Sequence, residues 1–174
     1  MVSRSGSGGA SYRSHAMMQT VSAQDFMVTR LTTLPPEMDV HDAIRLLLRH
    51  RISGAPVVGP GNQYLGVFTE RCCMQVILDA AYEQLPSNHV GAFMDTNAMT
   101  IPPDTQLLSI AQAFLLTSYR RLSVVDENGI LLGNVSRRDV LNAAVDSLKK
   151  AAPARESNLL YLSALMSREE APMA

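Results

Sequence analysis

Residues 26 to 71 return at 93 to 138 in a single register, and this duplication limits the fold more than any one motif does. Laying Phe26 on Phe93, an offset of 67 residues, also pairs Met27 with Met94, Thr29 with Thr96 and Thr33 with Thr100. Without a gap it goes on to pair Pro35-Pro36 with Pro102-Pro103, Val57-Val58 with Val124-Val125, Leu65-Gly66 with Leu132-Gly133, and Arg71 with Arg138. Chance matches do not hold one register across a whole unit.

Each unit reads as β-α-β-β-α. An extended piece (Leu31 to Leu34; Ala98 to Ile101) stops at the Pro-Pro pair, which blocks helix. Val40, Ala43, Ile44, Leu47 and Leu48 then fall at helical spacing, as do Leu107, Ile110, Ala111, Phe114 and Leu115, so each stripe faces a core. Asp39 is the expected N-cap of the first helix. Strands at 55–58 and 64–68 flank Gly59-Pro60-Gly61-Asn62, and strands at 122–125 and 131–135 flank Asp126-Glu127-Asn128-Gly129. Helices over Glu70 to Tyr82 and Arg137 to Lys149 close the units. The expected organisation is a leader at 1–18, a first repeat at 19–83, a linker at 84–91, a second repeat at 92–150, and a C-terminal helix and tail at 151–174. The fold class is α/β (α+β), two small sheets with helices. Asn158 to Met166 reads as an amphipathic segment.

Composition removes several functions. A net charge of −1 gives no footprint for nucleic acid. No apolar run approaches the roughly 18 residues of a membrane span. The two cysteines, Cys72 and Cys73, are adjacent and have no other partner, which points to a reducing, cytoplasmic compartment. His15, His41, His50 and His89 lack zinc-ligand spacing, and no glycine-rich phosphate loop follows a strand. With no nucleophile and base at workable spacing, the expectation is a non-catalytic chain without metal or required cofactor.

The doubled pattern resembles that of CBS domains. The residues carrying the resemblance are Met27-x-Thr29, Ala55-Pro56-Val57-Val58 and Gly66-Val67-Phe68-Thr69-Glu70-Arg71-Cys72 in the first unit. In the second they are Met94-x-Thr96, Leu122-Ser123-Val124-Val125-Asp126 and Gly133-Asn134-Val135-Ser136-Arg137-Arg138-Asp139. The resemblance covers about residues 20 to 150 and implies a pseudo-two-fold pair of repeats, a Bateman module, with two clefts between its sheets. It further implies a regulatory module that binds AMP, ADP or ATP, with S-adenosylmethionine ranked behind them. Association into a homodimer through the helices is implied as well, with an effector protein as a further partner.

Carried onto this sequence, the ligand site joins Asp139 and Ser136 to Thr32, Thr33, Leu34, Ile52, Ser53, Gly54 and Ala55. The carboxylate would hold the ribose hydroxyls through charge-assisted bonds, and Arg120-Arg121 would face phosphate. A second, degenerate site would comprise Thr69, Cys72, Thr100, Tyr119 and Leu122, with Cys72 where the ribose aspartate belongs. Plainer readings stay open. Ser136-x-x-Asp139 also fits a helix cap, and Arg120-Arg121 a solvated helix end. Arg137-Arg138 lean towards solvent, Cys72 reads as a small filler, and Met27, Met94, Phe114 and Tyr119 read as core. A dimerisation or interaction module with a vestigial nucleotide site is the alternative function.

Overall fold

A computed structural model describes residues 20–82 and 88–151. The leader, part of the linker and the Asn158 to Met166 segment lie outside the described residues.

The first repeat contributes a one-turn helix α1 (Ala23–Phe26), helix α2 (Val40–His50), strands β1 (Gly54–Val58) and β2 (Tyr64–Thr69), and helix α3 (Glu70–Ala81). The second contributes a short strand β3 (Thr100–Ile101), helix α4 (Leu107–Leu116), strands β4 (Arg121–Val125) and β5 (Leu131–Ser136), and helix α5 (Arg137–Ala151). The helices and both hairpins therefore stand where the spacing predicts them, and Val40, Ala43, Leu47, Leu107, Ile110 and Phe114 face the cores, but Leu48 and Leu115 at the far edge of each stripe are exposed instead. Asp39 caps α2 by accepting the His41 N–H at 2.8 Å. In the second hairpin Asp126 Oδ1 accepts from the amides of Asn128 (2.9 Å) and Ile130 (2.8 Å), while Gly129 takes the positive φ of 78°.

Both expected leading strands shrink, the second to the two residues of β3 and the first further. β3 runs parallel to β4, but in the first repeat the same pairing is a single bridge, Leu34 to Val57. The reason is Pro56, which stands at the place of Ser123 and has no N–H to extend the ladder back towards Thr32.

The units also exchange their leading segments. Val28 exchanges two backbone hydrogen bonds with Asn134, at 2.9 and 3.0 Å, and Asp95 does the same with Val67, at 2.8 and 3.0 Å. Ala23, Phe26 and Met27 accordingly pack into the core built by α4, β4, β5 and α5, whereas Val90, Phe93 and Met94 pack into the core of α2, β1, β2 and α3. Gly66 and Gly133 permit this: a Cβ at Gly66 would lie 2.6 Å from the Asp95 carbonyl oxygen, and one at Gly133 2.8 Å from that of Val28. The hairpins meet where Gln63 bridges Ile130, residues that the 67-residue offset superposes. The two repeats therefore form one pseudo-symmetric body, with each core drawing on both. Among the described residues no helix is long and apolar enough to cross a membrane.

Candidate functional site

Two related clefts open between the repeats. In β5 the core-facing Gly133 and Val135 alternate with Asn134 and Ser136, which face the other hairpin. Ser136 ends β5 and Asp139 lies in the first turn of α5. Together with Thr32, Ile52, Gly54 and Arg121 they line a cavity of about 300 Å³. Val28, Arg30, Leu31, Pro56 and Asn134 complete its wall.

Asp139 is held firmly. Its Oδ2 accepts from the Ser136 amide (2.8 Å) and the Ser136 hydroxyl (2.6 Å), and its own amide donates to Ser136 Oγ at 3.3 Å. This is a capping box, and the other carboxylate oxygen, Oδ1, carries none of these bonds. Ser22 and Asp25 make the same amide and hydroxyl contacts, at 2.8 and 2.9 Å, yet line neither cleft. The cap explains the geometry; the surrounding cavity separates Asp139 from Asp25.

The second cleft is larger, about 340 Å³, and is lined in part by Thr69, Glu70, Arg71, Asp95, Met99 and Tyr119. Cys72 occupies the place that Asp139 holds in the other repeat. It is buried, its amide donates to Thr69 Oγ1 at 3.4 Å, and its Sγ lies 3.3 Å from the same oxygen. No carboxylate is offered at that point. Burial, with the neighbouring Cys72 adding to it, pushes the Cys73 thiol up to about 11. Neither cysteine is in a disulfide.

Several expected site residues take other places. Leu34 is fully buried in the first core, where its backbone bridges Val57 of β1, and Thr32 is the residue of this segment that lines the smaller cleft. Thr33 lines neither cleft, and Ser53, Ala55 and Arg120 line the larger one. Arg120 sits 3.7 Å from Glu70 in a solvent-exposed pair that carries little energy. Arg121 borders both cavities. Of the second set, Thr69 and Tyr119 line the larger cleft, Thr100 and Leu122 do not, and Leu122 is core. Met99, not Thr100, is the counterpart of Thr32, as the 67-residue offset itself dictates.

Arg137 is not simply solvated. Its Nη2 donates to the Tyr119 carbonyl at 3.2 Å, with the Phe114 and Thr117 carbonyls at 3.5 Å, and its guanidinium lies 5.8 Å from the Phe114 ring centroid. It ties off the C-terminal end of α4 and fixes the backbone of Tyr119 beside the larger cleft. Among the described residues no group of three or more His, Cys, Asp or Glu side chains is placed to hold a metal ion.

A family model described as CBS domain matches residues 23–79 and 90–146. The protein MJ1225 of Methanocaldococcus jannaschii is 27% identical over 118 residues, covering 68% of this chain and 41% of that one. An inosine-5'-monophosphate dehydrogenase of Korarchaeum cryptofilum is 30% identical over 118 residues, covering 68% of this chain and 23% of that one. The chain thus spans less than half the length of either relative. Among solved structures, the CBS-pair protein CBSX2 of Arabidopsis thaliana superposes with a TM-score of 0.64 at 29% identity, covering 75% of this chain and 98% of that one. A second CBSX2 structure, in complex with AMP, gives a TM-score of 0.65 at 28% identity, covering 72% and 96%.

Proposed function

The chain belongs to the CBS domain family, and from that premise we propose that it is a regulatory module binding an adenine nucleotide (AMP, ADP or ATP) in the Asp139 cleft. The observation that carries the reading is Asp139 itself: a carboxylate fixed through one oxygen, beside a cavity of about 300 Å³ that Arg121 also borders. A ribose diol donates to the carboxylate, and phosphate pairs with the arginine. Val28, Ile52 and Pro56 give the same cleft an apolar wall for a base. The AMP complex of the 28% identical CBSX2 supports this choice of ligand. S-adenosylmethionine offers the arginine a single carboxylate beside two cationic groups in place of a phosphate and ranks behind. The module has no catalytic task in this reading, and its free, buried cysteines suit a reducing cytoplasm.

Assembly as a homodimer belongs to the same proposal. Leu48, Met74 and Leu78 are exposed on α2 and α3, and their counterparts under the offset, Leu115, Leu141 and Val145, are exposed on α4 and α5. An apolar face presented twice is suited to a second copy. One observation favours the alternative of an interaction module with a vestigial site, namely that Ser22 and Asp25 adopt the same cap with no cleft beside them. Calorimetric titration with AMP, ADP, ATP and S-adenosylmethionine decides between them. Saturable binding of a nucleotide is expected, and absence of binding by all four leaves the interaction module.

A further inference from the structure

Asn134 is unlike anything the fold requires at its position. It is 7% exposed, and its carboxamide oxygen is buried without a hydrogen-bond partner. Such an atom destabilises the folded chain, so a native example calls for an explanation. The duplication supplies the control. The residue at the same place in the first repeat is Val67, which makes the equivalent backbone bridge to the exchanged segment with an apolar side chain. The architecture therefore accepts valine here, and the amide serves something other than folding.

Its location indicates what. Asn134 lines both cavities, on the sheet face that also carries Ser136, and only two residues from it. We propose that Asn134 is a specificity-determining residue that recognises a hydrogen-bond donor on the ligand, the exocyclic amino group of an adenine base. The assignment rests on the nucleotide reading above and follows by elimination among the ligand's donors. The ribose hydroxyls are taken by Asp139, and the phosphate has acceptors only and is served by Arg121. The amino group is the donor left over, and Asn134 Oδ1 is a buried acceptor without a partner on a residue that lines the cleft. A site built to hydrogen-bond an N–H discriminates against an analogue lacking it, because the buried acceptor is then unpaired again. The fold gives up stability at this residue and recovers it when the ligand binds.

The test is a cycle between residue and ligand group. AMP and purine riboside 5'-monophosphate, which lacks the amino group, are titrated by calorimetry into the full chain, Asn134→Val and Asn134→Ala. The parent is expected to prefer AMP by about tenfold, and both variants to hold the two ligands within about twofold. Asn134→Val is also expected to melt about 3 °C above the parent without ligand. An unchanged AMP preference in either folded variant overturns the inference and leaves the nucleotide site standing. A parent that binds neither compound removes both.

Discussion

Asp139 and Asp25 adopt the same local geometry, yet only one of them faces a cleft. Each accepts from a serine amide and hydroxyl three residues earlier, which stabilises a helix start by about 1 kcal/mol wherever it occurs. The ligand role proposed for Asp139 rests on where β5 delivers it, with Oδ1 outside the cap. Cys72 shows the converse: the helix start is kept, with Thr69 as cap, while the carboxylate is gone. Burial also governs the adjacent thiol. With its pKa raised to about 11, Cys73 stays protonated through the neutral range, because the folded chain disfavours the thiolate. Alkylation by iodoacetamide at pH 7.5 is expected to be slow at Cys73 in the native protein and to rise by more than about tenfold on denaturation. Rapid native labelling of Cys73 would contradict this.

At the scale of elements, the exchanged segments join the two repeats into one body. Gly133 lies against the Val28 carbonyl and the Met27 side chain, so Gly133→Ala forces the first repeat's leading segment off β5. The expected cost is about 2 kcal/mol or more, measured by denaturant unfolding, and a smaller change than about 0.5 kcal/mol would mean that the segment yields freely. The exchange is also the part of the fold that the sequence hid. Helices and hairpins announce themselves by local spacing, as the α2 stripe and the Asn128-Gly129 turn do. A single-residue bridge such as Val28 to Asn134 has no period, and its partner is set only once both hairpins have folded. The site divides along the same line. Ser136, Asp139, Thr32, Ile52, Gly54 and Arg121 were implied by the family resemblance, and all border one cavity. Thr33 and Thr100 fall one residue away from the cleft-lining Thr32 and Met99, where alternation turns the side chain elsewhere, and Leu34 is taken into the first core. Asn134 was visible as a letter, but its unpaired oxygen was not.

Taken whole, the molecule has a two-fold plan with unequal halves. One cleft keeps a carboxylate and an apolar wall. The other has Cys72 in the carboxylate's place and brings Asp95, Arg71 and Arg120 to its rim. Arg121 and Asn134 border both. The exposed faces of the helices repeat with the same symmetry, and in the proposed homodimer a second copy buries them. Light scattering at micromolar concentration is expected to return a dimer mass for the parent and a monomer mass for Leu141→Glu. A parent that stays monomeric would leave those faces without an occupant.

The most direct test of the central claim is AMP binding measured by calorimetry on three chains: the parent, Asp139→Ala and Asp25→Ala. Both substitutions remove the same kind of cap, so both lower stability alike, and in the proposed reading only the first removes a ligand contact. The account predicts saturable binding to the parent and to Asp25→Ala, and a loss of about tenfold or more in Asp139→Ala. Equal affinity in all three would contradict it.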